Sequence, residues 1–182
     1  MTQSPFAIDI EKVRQGKVEM QVHEKPAALE LADIEGVTLD QPVTGHLTYS
    51  MSGSDIIIQG NLSTHYCSTC VRCLEPACAD VNTKIRLFFL AKGDKDDPTA
   101  FDEEVEDLDV DYYSGELLDP LPQIRDAILL EIPVLPVCSE DCKGLCPQCG
   151  VNHNKQSCNC QQPEIVTEHD AWKNKLKGFK LE

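Results

Sequence analysis

Basic residues and aromatics are both scarce in this chain. Sixteen Lys and Arg stand against 31 Asp and Glu in 182 residues, a formal charge of −15. Proteins held on DNA mainly by counterion release carry basic faces, so this balance argues against that class. Aromatics make up 5 %, with one Trp, which leaves little from which to build a stacking platform for single strands. Long apolar runs are missing as well. The longest uninterrupted one, Leu87-Phe88-Phe89-Leu90-Ala91, falls far short of the roughly 20 residues that span a bilayer. The opening MTQSPFAIDIEKVRQGK has no basic start leading into an apolar stretch, because Asp9 and Glu11 interrupt it. The expectation is a cytoplasmic protein without a membrane segment. Catalytic signatures are absent too: the chain contains no GxSxG, Walker A, GxGxxG, HExxH or H-x-E motif. A non-enzymatic protein is expected.

What the chain has in excess is cysteine, ten in all. In a reducing compartment clustered thiols bind metal or do redox chemistry more often than they form bridges. Around them the patterning is that of a sheet. Residues 16–23 alternate through Val18, Met20 and Val22, and residues 42–51 through Val43, Leu47, Tyr49 and Met51. After the Ser52-Gly53-Ser54 turn, residues 55–66 keep Ile56, Ile58, Leu62 and Tyr66 in phase, which makes a hairpin. Residues 77–90 alternate again, so an antiparallel sheet with one buried face is expected. From 121 to 132 the period becomes helical, with Leu121, Ile124, Ala127 and Ile128 on one face and Asp119 placed to cap the start. A short closing helix is expected around 168–179, carrying Trp172, Leu176 and Phe179.

The expected class is therefore α+β, mainly an antiparallel β-sheet domain with a helix and a C-terminal cysteine-rich zinc module. Its parts are a β-rich domain over 1–137 with an acidic loop at 93–119, a zinc-knuckle module over 138–160, and a tail with a short helix over 161–182. The acidic loop holds twelve Asp and Glu against Lys95, a local charge of −11 that leaves −4 for the rest of the chain. With the acidity confined in this way, RNA contact by other surfaces is not excluded. The run reads as a solvated face or as a phosphate mimic that docks on a basic partner.

The cysteine spacing carries the chemistry. A Cys-x-x-Cys pair offers two sulfurs from one tight turn to a tetrahedral ion, and thiolate softness selects zinc. Cys146-Pro147-Gln148-Cys149-Gly150 is the strongest such knuckle, and Cys158 with Cys160 completes it. Cys70 and Cys73 form the other knuckle, and Cys138 with Cys142 remain to close a second site across some 65 residues of sequence. One zinc is expected at Cys146, Cys149, Cys158 and Cys160, and a second is possible at Cys70, Cys73, Cys138 and Cys142. Cys67 and Cys78 are left over and read as ordinary buried thiols of strands. His65 and His153 lie close enough in sequence to stand in for a cysteine ligand. Arg72 and Lys143, beside the sulfurs, would screen their charge or meet a phosphate. The alternative is a thiol redox enzyme or sensor using Cys70 and Cys73. Against it, a reactive dithiol opens a helix, whereas a strand-like run follows this pair.

The order of these motifs resembles the YceD-like family of large ribosomal RNA subunit accumulation proteins. The resemblance rests on Cys70-Val71-Arg72-Cys73-Leu74-Glu75-Pro76, the acidic stretch, and Leu130-Glu131-Ile132-Pro133-Val134. It is completed by Cys142-Lys143-Gly144-Leu145-Cys146-Pro147-Gln148-Cys149-Gly150 with Asn152, Asn154, Cys158 and Cys160. It spans residues 40–160, while Cys67 and Cys78 are additions to the pattern. It implies a non-enzymatic factor supporting large-subunit rRNA processing or accumulation and ribosome assembly. The implied partner is rRNA or a basic ribosomal protein such as L32, whose gene often neighbours those of the family. On that reading, Arg72, Lys84 and Arg86 around the first knuckle, Lys143 and the C-terminal lysines are candidate contacts.

Overall fold

The computed structural model describes residues 4–32, 34–92 and 110–160. Asp9 ends a two-residue strand, β1 (Ile8–Asp9), and its carboxylate accepts the Glu11 backbone N–H at 2.8 Å, which starts α1 (Ile10–Gln15). Then follow β2 (Val18–Glu24), a single 3-10 turn (Pro26–Leu29), β3 (Val37–Leu39), β4 (Val43–Ser52), β5 (Asp55–Thr69) and β6 (Pro76–Ala91). Two further strands, β7 (Val110–Tyr113) and β8 (Leu117–Leu118), precede α2 (Leu121–Leu130).

The expected strands are present, and the longest run beyond their predicted ends. Alternation stops at Tyr66 because Cys67 to Thr69 carry small polar side chains or sulfur, yet the β5–β6 ladder continues to the Thr69–Pro76 pair. β4 and β5 join through Gly53 and Ser54. Gly53 takes φ +63 at the first central position, as a two-residue hairpin of the right twist requires. The main sheet runs β2-β4-β5-β6-β7, and β3 pairs with the far end of β5, beyond the point where β4 stops. All pairings are antiparallel except β6 with β7, so the sheet is mixed rather than purely antiparallel. Part of the predicted acidic loop is thus ordered differently: residues 110–113 form the parallel edge strand, and 117–118 pair with β1. Residues 93–109 and the predicted closing helix at 168–179 lie outside the described residues.

One face of the sheet is buried. Val43, Leu47, Tyr49, Ile56, Ile58, Leu62, Val81, Ile85 and Phe89 point into a core closed by Phe6 and Ile8, Ile10 and Val13 of α1, Leu29 and Leu31, and Ile124 and Ile128 of α2. The Tyr49 hydroxyl donates to the Phe6 carbonyl at 3.2 Å, and burial, reinforced by the nearby Asp119 charge, pushes its phenol well above the ordinary range. α2 starts as the sequence suggests: Asp119 Oδ1 accepts the Leu121 N–H at 3.1 Å beside Pro120. The opposite face is open and polar, with Gln59, Asn61 and His65 of β5 beside Asp80, Asn82, Lys84 and Arg86 of β6. Among the described residues no helix is long and apolar enough to cross a membrane.

Candidate metal centres

The β5–β6 hairpin ends in a knuckle. Cys70 N–H donates to the Glu75 carbonyl at 2.8 Å and Leu74 N–H to the Cys70 carbonyl at 3.0 Å, closing a tight turn that aims both sulfurs the same way. Leu74 sits in the left-handed region at φ +60, a conformation L-residues resist, although its side chain is exposed. After α2 the chain returns to this tip with little regular structure. Val71 N–H donates to the Pro136 carbonyl at 2.9 Å, and Leu145 N–H to the Arg72 carbonyl at 3.0 Å. Gly144, at φ +72, lets the chain pass close to that same carbonyl, 3.0 Å from where a Cβ would stand.

This return brings Cys138 and Cys142 onto Cys70 and Cys73. The four sulfurs lie within 4.8 Å of one another. Cys70 Sγ is 3.8 Å from Cys142 Sγ, and Cys73 Sγ is 3.5 Å from Cys138 Sγ. A tetrahedron with metal–sulfur bonds of about 2.3 Å has edges of about 3.8 Å, so these spacings match those of four thiolates around one zinc. Cys70, Cys73 and Cys142 are buried with Ala77 in a small second core against Leu145.

A second quartet, Cys146, Cys149, Cys158 and Cys160, also gathers within 4.8 Å. Its knuckle is built as the first is. Cys146 N–H donates to the Val151 carbonyl at 2.8 Å, Gly150 N–H returns to the Cys146 carbonyl at 2.9 Å, and Gly150 takes φ +71. These are the same two quartets that the spacing groups together. His65 and His153 belong to neither.

The electrostatics of both quartets are those of closely coupled thiols that could hold a cation. Burial raises the Cys70 thiol, but the backbone at Cys138, Cys73 and Arg72 outweighs it and brings the thiol down to about 6. The backbone at Cys149 and Gln148 likewise lowers Cys146 to about 6. Their neighbours move the other way. At Cys73 the lowering by the Glu75 backbone is overcome by burial and by the Cys138, Cys70 and Cys142 sulfurs, leaving it at about 12. The Cys149 and Cys158 sulfurs, with burial, raise Cys160 to about 12. Thiols this close cannot all ionise together unless a positive ion stands among them.

Polar crossbars lock the two knuckles. Asn154 Nδ2 donates to Cys142 Sγ at 3.3 Å, while its Oδ1 accepts the Lys143 N–H at 2.8 Å. Lys155 Nζ pairs with Glu75 at 2.6 Å, and that hydrogen bond, with the Lys155 charge, holds the Glu75 carboxyl below its usual range. Spacing rules overlook these residues because they read sulfurs only. The recurrence of Asn two residues apart, Asn152 and Asn154, was the available signal.

The remaining candidates separate. Arg72 donates through its guanidinium to the Glu140 and Cys142 carbonyls at 3.2 and 3.1 Å, tying the hairpin tip to the returning loop. Lys143 is exposed beside it. Lys84 and Arg86 do not surround the first knuckle. They stand eight and ten positions beyond Pro76 on β6, about 26 Å and more along the strand, on the open face, with Arg86 5.4 Å over the Phe88 ring. Cys67 and Cys78 are not ordinary buried thiols either. They are direct cross-strand partners on the open face, Cys67 half-buried and Cys78 exposed, and they are joined as a disulfide. The reading failed because their separation in sequence hides that both flank the knuckle at equal distance.

The fold and its sulfurs define a class: an α+β protein in which a long hairpin tip and the loops after the last described helix are gathered by two sets of four cysteines. The chain belongs to the YceD family. The family model described as large ribosomal RNA subunit accumulation protein YceD matches residues 58–180, which take in most of β5, all of β6 and both quartets. An uncharacterised protein of Mycobacterium tuberculosis is 30 % identical over 151 residues, 81 % of this chain and 70 % of that protein. Two plant proteins named large ribosomal RNA subunit accumulation protein YCED homolog 1, chloroplastic, are also similar. The Zea mays protein is 28 % identical over 73 % of this chain and 53 % of its own length. The Arabidopsis thaliana protein is 35 % identical over 39 % of this chain and 19 % of its own length. No solved structure gives a significant match.

Proposed function

We propose that this chain is a non-enzymatic factor, braced by zinc, that supports accumulation and processing of large-subunit rRNA during ribosome assembly. The observation that carries the zinc part is the spacing of the sulfurs, 3.8 and 3.5 Å across the first quartet, which suits the edges of a thiolate tetrahedron. Cys70, Cys73, Cys138 and Cys142 would hold one ion and Cys146, Cys149, Cys158 and Cys160 the other. Each ion would lend rigidity and no chemistry, since four protein sulfurs leave no open position for water or substrate. The ribosomal part rests on the family to which the chain belongs and on the names of its plant relatives.

The contact surface for rRNA is the open face of the sheet, where Lys84 and Arg86 stand among Asn and Gln side chains, together with Arg72 and Lys143 at the knuckle. The acidic segment serves a basic ribosomal protein. Depletion in the host is expected to lower mature large-subunit rRNA relative to small-subunit rRNA, and a ratio unchanged across growth conditions would contradict this function. The redox reading predicts a Cys70–Cys73 bond that forms and breaks reversibly in metal-free protein. A metal count with a free-thiol titration separates the two.

A further inference from the structure

The pairing of β5 with β6 sets Cys67 opposite Cys78 and, two residues on, His65 opposite Asp80, all on the open face. Asp40, just past β3, reaches the same spot, its Oδ1 2.7 Å from His65 Nδ1. Donor atoms of Asp40, His65 and Cys67 lie within 4.8 Å of one another, and Cys78 Sγ is bonded to Cys67 Sγ. None of these side chains belongs to either cysteine quartet. A sulfur in a disulfide carries no charge and is a poor ligand, so the set is incomplete while the bond stands.

We infer that reduction of the Cys67–Cys78 bond opens a third cation site, formed by Cys67, Cys78, His65 and Asp40, for a thiophilic divalent ion. Two electrons and two protons, supplied by a dithiol that is itself oxidised to a disulfide, turn the bond into two thiols. The ion then displaces both thiol protons. Two thiolates, an imidazole and a carboxylate make a tetrahedral donor set suited to zinc. Asp40 either closes that set or holds the His65 ring in place while the other ring nitrogen binds, and both roles strengthen the site. Asp80, facing His65 from β6, adds negative charge that favours a cation. The exposure of Cys78 gives a reductant access, and the long β5–β6 ladder on one side, with the knuckle turn closing the other, holds the strands in register once the bond is cut. The sheet itself therefore reports the redox state, as an ion gained or lost beside the knuckle.

The test uses full-length protein saturated with Zn2+ and freed of loosely held ion. It is then split and treated with or without a water-soluble phosphine, which reduces the bond and takes up the oxygen of a water molecule. Each half is offered Zn2+ again and its metal counted by mass spectrometry, with Co2+ absorption as a second readout. The expected result is one additional ion per chain after reduction, with tetrahedral Co2+ bands and thiolate charge transfer. The gain should vanish in the Cys67→Ser, Cys78→Ser double variant, and the affinity of this ion should fall at least about tenfold in His65→Ala. The double variant is expected to keep the wild-type circular dichroism spectrum. An equal metal count before and after reduction would overturn the inference, as would an extra ion held equally tightly by His65→Ala combined with Asp40→Asn. The gain is read against the same sample before reduction, so the outcome does not depend on how the two quartets are filled.

Discussion

Asn154 shows how one side chain fixes a sulfur it does not chelate. Its amide donates to Cys142 Sγ while its carbonyl oxygen takes the Lys143 N–H. Partners of this kind orient a ligand and tune its basicity, and their removal typically costs 10–100-fold in metal affinity. Asn154→Ala is therefore expected to lose the first-quartet ion at about tenfold lower chelator concentration, with the fold intact. An unchanged chelator midpoint would count against the contact. Gly60 makes a different point. A Cβ there would stand 2.0 Å from the His46 carbonyl oxygen, because β4 and β5 press together at this pair. The obstacle is backbone and cannot swing aside. Gly60→Ala should lower stability by about 1–3 kcal/mol or more in urea denaturation, whereas a change below about 0.5 kcal/mol would mean the strands separate readily.

Among elements, the β5–β6 hairpin and the segment after α2 depend on each other unequally. The hairpin has a full ladder and a buried face of its own. Residues 131–160 have one isolated bridge, Leu145 with Asn152, and otherwise hang on backbone bonds to the knuckle, on the Arg72 and Lys155–Glu75 contacts, on the buried Ile132 side chain and on the sulfurs. Cys142→Ser should accordingly free this segment while leaving the sheet formed. Limited proteolysis should cut within 131–160 several-fold faster and spare β4 to β6, and uniform resistance would show that the sulfurs are dispensable. The pH dependence follows from the same chemistry. In the metal-bound form the thiols are deprotonated, whereas in the unfolded chain they take protons near 8.5 to 9, so the unfolded state binds more protons and stability falls as pH falls. Stability should thus fall progressively as pH drops through the window from about 8.5 to about 5, with metal release at its acid end. A melting temperature that is flat over that window would contradict metal-linked stability.

Across the whole molecule, legibility divides by range of interaction. The strands over 43–66 and 76–91 could be read because one face is buried, which enforces alternation through Val43, Leu47 and Tyr49 or Val81, Ile85 and Phe89. The quartets could be read because each Cys-x-x-Cys brings two sulfurs together within one tight turn, a local pattern that needs no knowledge of the fold. Three features were hidden for physical reasons. The Cys67–Cys78 bond depends on the register of two strands, which the knuckle sets and no local pattern reports. The distance from Lys84 and Arg86 to the knuckle follows from how far the β5–β6 ladder extends, and turn residues do not fix that. The parallel docking of β7 on β6 closes over residues 93–109, so the contact is non-local and buried in an acidic composition that reads as loop. The −15 net charge is likewise a poor guide to surface chemistry, because most of it sits between residues 93 and 119.

The decisive quantity is the number of ions the folded chain keeps. Structural zinc contributes about 10–16 kcal/mol of apparent binding free energy in small peptides, comparable to or larger than the whole net stability of a typical domain at about 5–15 kcal/mol. Native mass spectrometry of the purified protein, before and after exhaustive chelation, should show two zinc ions per chain. Their removal should make the eight quartet thiols reactive and collapse the segment after α2. A chain that carries no zinc and keeps the same melting temperature and protease resistance after chelation would contradict the account.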